Sequence, residues 1–405
     1  MKSKIAAAAL FAFTAGGIAL YPAMKNMAAN VEPPAPAIGY WPEQTTARLE
    51  PPKVEVVFAL DTTGSMGGLI QAAKEKIWSI ATTLAQAQPA PEIRMGLVAY
   101  RDRGDTYVTR LTDLSSDLDS VYAKLMEFRA EGGGDGPESV NQALADAVDR
   151  ISWSSDPNAY KVIFLVGDAP PHMDYQDDVK YPQTLATAKA RGIVVNTILA
   201  GHSGVTREVW QQIAQTGGGH YAQVAQSGDA VAIATPYDER LAKLSAELDE
   251  TRLYYGSAEE KAKREMKQTA AKKLHEEASV ASRARRATFN ATKSGAANLL
   301  GEGELVEDVT SGRVDLDSLA PEALPAPIQA MSPREQKAVI AKSAERRAAL
   351  NKTIKALAEQ RALFLHDKVE AAGGAGASLD QKLYDAIRDQ GSKKGMRYEA
   401  ESPAY

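Results

Sequence analysis

The chain of 405 residues contains no cysteine, which removes disulfide scaffolds, thiolate nucleophiles and cysteine-linked lipid anchors together. Histidine is scarce, and His172, His202, His220, His275 and His366 are too scattered to suggest a catalytic set. Nor is there a basic surplus. A formal charge of -5 and a pI near 5.7 offer no positive face for phosphates, so nucleic acid is not expected as a partner. No glycine-rich loop ends in Lys-Ser or Lys-Thr, which excludes a P-loop nucleotide site. Met66 and Gly67 follow Gly64-Ser65, so a Gly-x-Ser-x-Gly nucleophile elbow is not completed there. What remains is an ordinary globular composition, 44% hydrophobic and 24% charged, in a chain long enough for two folded units.

The N-terminus differs from the rest. Lys2 and Lys4 precede an apolar stretch from Ile5 to Ala23, the layout of a charged region followed by a hydrophobic one. Residues 1–29 therefore read as a cleaved export signal or, uncleaved, as a single N-terminal anchor, the only membrane attachment expected. Export places the chain in the periplasm, attached to the cell envelope, or secreted. Residues 30–52 are proline-dense and lack periodicity, as in an extended linker. From Lys53, strand-length apolar runs (54–60, 93–100, 107–111, 162–167, 193–199) alternate with segments of helical period (69–86, 118–129, 140–151, 184–191, 209–214). This alternation predicts an α/β domain over 53–256 with a doubly wound, mostly parallel sheet. Runs such as VVFAL and VIFLV, apolar at every position, fit strands buried on both faces.

In such sheets ligands bind beyond the carboxyl ends of the strands. Asp61, Thr62, Thr63, Gly64, Ser65, Met66, Gly67 and Gly68 stand there after the first predicted strand. An Asp-x-Thr-x-Ser turn presents one carboxylate and two hydroxyls on one side, the oxygen donors that hard cations take. The competing reading is structural: Thr63 or Ser65 caps the following helix while Asp61 complements its dipole. Asp102, Arg103 and Asp105 read as a loop beside this turn, and the Arg-Gly-Asp they spell with Gly104 as an accident of sequence. His172, Asp174, Asp177 and Asp178 read as a solvated acidic loop.

VFALDTTGSMGG resembles the metal ion-dependent adhesion site of von Willebrand factor type A domains, with Asp61, Thr63 and Ser65 on its Asp-x-Ser/Thr-x-Ser pattern. The EGGGDGPESVNQAL segment supplies Asp135 where that family has a Thr or an acidic replacement, and KVIFLVGDAPPH supplies Asp168. The resemblance covers roughly residues 53–250. It implies a divalent cation, Mg²⁺ first with Mn²⁺ or Ca²⁺ as alternatives, held by Asp61, Thr63, Ser65, Asp135 and Asp168, with an open position that an acidic side chain of a protein partner fills. Asp135 departs from Thr and, as a third carboxylate, leaves less positive charge to attract such a side chain. The resemblance also implies coupling to the domain's last helix, expected at Asp229–Arg252. A haloacid-dehalogenase-type phosphatase would need a second Asp at the position of Thr63, so binding is expected rather than catalysis.

Beyond the domain, residues 257–370 read as a helical region with a proline-rich break at 320–333. The run from Pro236 to about Lys293 begins as the last helix of the domain, with Leu241, Leu244, Leu248 and Tyr255 on one face, and past Tyr255 reads as a charged helix or intermittent coiled coil. Ser332, Pro333 and Glu335 predict the start of a second helix running to Val369, with Ile340, Leu350, Ile354, Leu357, Phe364 and Leu365 free to pack against the first. Residues 371–405 read as a flexible tail. The alternative function is a scaffold that works through these helices, with the metal only stabilising the fold.

Overall fold

The computed structural model describes residues 50–134, 136–228, 230–376, 378–400 and 402–405. The signal or anchor, most of the linker, Asp135 and Asp229 lie outside them. Among the described residues no helix is long and apolar enough to cross a membrane.

The apolar runs become strands because each can bury both faces. In β1 (Lys53–Asp61), Val54, Val56, Phe58 and Leu60 point into one core while Val57 and Ala59 point into the other. β4 (Tyr160–Gly167) does the same, with Val162, Phe164 and Val166 opposite Ile163 and Leu165. This alternation is the period of two expected of a strand. With β2 (Glu92–Tyr100), β3 (Thr109–Ser115), β5 (Ile193–Ala200) and β6 (Gly218–Val224), they form a sheet of order β3-β2-β1-β4-β5-β6. Only the β2–β3 pairing is antiparallel. The order places β1 beside both β2 and β4, so the winding reverses between β1 and β4. β6 was not expected from sequence, where its GGHYAQV carries little apolar signal.

Helices cover both faces. α1 (Gly67–Ala85) and α2 (Leu118–Met126) lie on one side, and α3 (Val140–Asp149), α4 (Tyr181–Ala190) and α5 (Gly204–Thr216) on the other. The helix after β6, α6 (Asp238–Asp249), does not take a place on the sheet. Its Leu241, Leu244 and Leu248 pack instead with the helical region formed by α7 (Ala258–Glu277), α8 (Val280–Asn290), α9 (Lys293–Leu300), α10 (Leu305–Thr310), α11 (Ala326–Gln329) and α12 (Pro333–Ala371).

The run of helix formers from Pro236 to about Lys293, expected to continue the last domain helix as a charged extension, is interrupted. Ser257 with Glu260 makes a capping box that starts α7, and Ser279 caps α8. α12 begins as read from sequence, with the Ser332–Glu335 capping box, and its Leu350, Ile354 and Leu357 meet the α6 leucines. These helices fold back on the α/β domain rather than projecting from it. The joint is ionic: the Arg286 guanidinium on α8, fully buried, pairs with Asp119 on α2 at 2.6 Å and with Asp249 on α6 at 2.9 Å. A buried cation of this kind is tolerated only when fully paired.

The segment after Ala371 is not a flexible tail. It contains α13 (Leu379–Ser392), whose Leu379, Leu383, Ala386 and Ile387 complete the sheet face occupied by α1 and α2. Two polar contacts fix it there. Lys76 on α1 pairs with Asp380 at 2.9 Å, and Gln390 accepts from Tyr160 Oη at 2.7 Å and donates to Asn196 Oδ1 at 2.6 Å. Residues 51–405 thus form one compact unit. Ile387→Ala, which deletes a fully buried side chain of α13, is expected to cost about 2–5 kcal/mol in urea unfolding. A loss under about 0.5 kcal/mol would restore the flexible-tail reading.

Candidate metal centre

The winding reversal between β1 and β4 brings the carboxyl ends of those strands together, and Asp61 and Asp168 stand on them. Leu60 pairs with Val166, so Asp61 ends its strand beside Gly167. The approach is close: a Cβ on Gly167 would lie 3.1 Å from Asp61 Oδ2 and 2.4 Å from the Tyr100 hydroxyl. Glycine is needed there for space.

The turn after β1 folds its oxygens inward. Thr63 donates to Asp61 Oδ1 from its backbone N–H at 2.8 Å and from its hydroxyl at 2.6 Å. The Ser65 hydroxyl lies 3.4 Å from that of Thr63. Neither hydroxyl caps a helix: the short 3-10 turn Gly64–Met66 and α1 both begin without a side-chain cap. The capping explanation for the Thr and Ser therefore fails, and their oxygens stay with Asp61.

The neighbouring loops clamp this turn. Gly64 N–H donates to Gly132 at 3.1 Å, Glu131 N–H donates to Thr62 at 3.1 Å, and Asp105 accepts from Gly133 N–H at 3.1 Å. Asp105 therefore holds the loop that carries Asp135, although Asp135 itself lies outside the described residues. On the other side Gln226, beyond β6, donates to Asp168 Oδ2 at 2.8 Å and to the Ser65 carbonyl at 3.1 Å. Burial is graded across the group. Asp61 and Thr63 are buried, Asp168 is half-buried and Ser65 is exposed, so the site has a floor and an open mouth.

The electrostatics are unfavourable without a cation. Asp61 Oδ2 is buried and has no hydrogen-bond partner, a costly state for a carboxylate oxygen. Burial pushes the Asp61 carboxyl up to about 7, with hydrogen bonds from Thr63 and from the Asp168 backbone opposing and the Asp168 charge adding to the rise. Glu138, at the start of α3, is pushed up to about 9 by burial and then by the charges of Asp61, Asp102, Asp105 and Asp168. A hard cation placed among the Asp61, Thr63, Ser65 and Asp168 oxygens would relieve both effects, so the donor set fits Mg²⁺ chemistry. Among the described residues no three His, Cys, Asp or Glu side chains form a ready metal-binding group.

Glu138 and Gln226 were not identified from sequence, and Asp102 was read only as part of a loop beside the turn. Glu138 had a signal, since it follows the glycine-rich loop by a few residues, whereas Gln226 carries none. The loop after β4, read as solvated acidic residues, is an ordered clasp. Arg103 pairs with Asp178 at 2.5 Å and Asp177 at 2.9 Å and stacks on Tyr175, whose hydroxyl donates to Asp102 Oδ2 at 2.9 Å. His172 is buried against that ring.

Residues 55–236 match the family model described as von Willebrand factor A domain. The von Willebrand factor A domain-containing protein 7 of Rattus norvegicus is 38% identical over 120 residues, which is 30% of this chain and 12% of that protein. The alpha-protein kinase vwkA of Dictyostelium discoideum is 31% identical over 121 residues, 29% of this chain and 19% of that protein. The chain thus spans under a fifth of the length of either relative. A solved structure, the von Willebrand factor type A protein from Catenulispora acidiphila, aligns at 19% identity and TM-score 0.33 over 43% of this chain and 38% of that one.

Because the Asp61 carboxyl is raised from 3.8 to about 7 in the fold, the folded chain holds a proton between those values that the unfolded chain has released. Stability then falls as pH rises through that window. Urea unfolding in EDTA is expected to show this fall between about pH 4 and 7, with Mg²⁺ and Asp61→Asn each reducing it and Glu138, raised from 4.5 to about 9, supplying the remainder. Stability of the metal-stripped chain that rises over the same window would contradict the assignment.

Proposed function

We propose, on the premise that residues 55–236 are a von Willebrand factor A domain, that the chain is a divalent-cation-dependent binding module for a protein partner. The observation that carries this reading is the buried, unpartnered Asp61 Oδ2 beside two hydroxyls that cap nothing. Asp61, Thr63, Ser65 and Asp168 would hold the cation, with Asp135 from the neighbouring loop. A bound Mg²⁺ supplies a positive centre with an open coordination position, which an oxygen of the partner, such as an acidic side chain, completes. The exposure of Ser65 supports access from solvent. Met173 and Val179 on the loop after β4 and Val205 after β5 are exposed apolar side chains on the same edge, and they suit a docking rim.

The group carries oxygen ligands but no nucleophile with a matched base, which favours binding over catalysis. The layout of residues 1–29 supports a place outside the cytoplasm, in the periplasm or cell envelope. A scaffold acting through the helical region is less well supported, because the apolar faces of α6, α8 and α12 are spent on one another and on the domain.

Isothermal titration of Mg²⁺ and Mn²⁺ into the metal-stripped chain is expected to show one saturable site, abolished in an Asp61→Ala, Ser65→Ala variant. No binding at millimolar cation, or binding that survives both substitutions, would remove the cation from the function.

A further inference from the structure

The turn that carries Asp61 feeds the first residues of α1, and a separate cavity of about 550 Å³ opens at the other end of that helix. Its walls are the last turns of α1, Arg285 and Thr288 of α8, one face of α12 and residues 402–405. Four of the side chains that line it keep a buried polar atom with no hydrogen-bond partner: Ser79 Oγ, Gln86 Oε1, Arg285 Nε and Arg361 Nη2. Orphaned polar atoms are uncommon in folded proteins because each costs its desolvation, and four around one cavity suit a polar occupant.

The cavity also gathers positive charge. Arg285 and Arg361 are each 3% exposed, and the buried Lys76 ammonium lies within coulombic reach of both. Two of these three cations are closely paired, Lys76 with Asp380 at 2.9 Å and Arg361 with Asp238 at 2.8 Å. Arg361 Nη1 also donates to the Tyr405 carbonyl at 2.8 Å. Arg285 is poorly met. It reaches the Glu75 carboxylate at 3.4 Å and the Glu75 carbonyl at 3.3 Å, both long for a charge-assisted hydrogen bond. Glu75 is shared besides, accepting from Ser279 Oγ at 2.8 Å. Burial holds the Arg285 guanidinium below its ordinary value, and the largest charge acting on it is the like charge of Arg361. A buried guanidinium in that position is stabilised by an anion between the two. Glu359, the carboxylate that lines the cavity, is exposed on α12, where water and salt screen it.

We propose that this cavity binds a small organic anion, whose carboxylate or phosphate head bridges the Arg285 and Arg361 guanidiniums and whose apolar body lies along Ala358, Ala362 and Leu365 of α12. Guanidinium forks suit such oxyanions, which accept several N–H donors at once. The Ser79 hydroxyl supplies a further donor. A ligand held this way touches α1, α8 and α12 together and so ties the helical layer to the sheet domain. The site does not depend on the cation reading.

The full chain is titrated with benzoate and with phenyl phosphate, and with benzyl alcohol as their neutral counterpart, by calorimetry and by thermal melting. At least one anion is expected to bind saturably and to raise the melting temperature, and the tighter of the two identifies the head group. Benzyl alcohol is expected to do neither. Arg285→Met, which removes the charge and keeps the length, is expected to weaken anion binding about tenfold or more. Without ligand it should melt near the parent, because the pairing with Glu75 is weak. Arg285→Lys, which keeps the charge without the fork, should fall between the two in affinity. Equal anion affinity in the parent and the Met variant overturns the proposal, as does benzyl alcohol that binds as tightly as the anions, or no binding of either anion at about 10 mM. An Arg285→Met chain that fails to fold also overturns it, by assigning Arg285 to the joint between α1 and α8.

Discussion

The constraint on which the site depends is the crowding of carboxylates at one point of the sheet. Parallel strands that wind outward in opposite directions from β1 and β4 must open a crevice between their carboxyl ends. This sequence ends β1 with Asp61 and follows β4 with Asp168. Glycine at 167 lets the two strands and the Tyr100 hydroxyl approach closely. The result is an acidic, partly dehydrated site with the Thr63 hydroxyl in its floor and the Ser65 hydroxyl at its mouth. Self-repulsion of this kind is costly in an apolar surround, and strongly perturbed groups of this sort cluster at functional sites.

The surrounding structure keeps that pocket from relaxing. Gln226 ties the Ser65 carbonyl to Asp168, Asp105 holds the glycine-rich loop, and the Arg103–Tyr175–Asp102 clasp fixes the loop after β4. Farther out, the helical region and α13 cover one face of the sheet. The buried Arg286 pairs with Asp119 and Asp249 and makes that cover part of the domain rather than an appendage. α13 occupies the sheet face while α6 joins the helical layer, so the C-terminal residues share a core with β1 and β4. Any movement of α13 would therefore be felt by strands that carry the site.

Much of this was legible in the sequence where periodicity and chemistry coincide. The strands β1, β2, β4 and β5 announce themselves as apolar runs, and α12 by its Ser332–Glu335 capping box. Asp61, Thr63, Ser65 and Asp168 were placed from spacing and from likeness to a known motif, and the fold brings them to one edge. Other features were hidden for physical reasons. β6 is held by edge pairing with β5 rather than by an apolar run. α13 is short and mixed in charge, and follows a glycine-rich stretch, so only its tertiary contacts show it to be core. Gln226 reaches Asp168 and the Ser65 carbonyl through tertiary proximity, which no local pattern encodes. The break between α6 and α7 was written in Ser257 and Glu260, but the run of good helix formers around it obscured the cap.

The central claim is that a divalent cation sits where the Asp61, Thr63, Ser65 and Asp168 oxygens meet. The most direct measurement is anomalous diffraction from crystals of the chain grown with Mn²⁺, recorded on both sides of the manganese edge. The account expects a single strong anomalous peak in contact with the Ser65 and Thr63 hydroxyls, with the Asp61 and Asp168 carboxylates around it. Full-occupancy manganese elsewhere, or none at this position in crystals saturated with the ion, would contradict it.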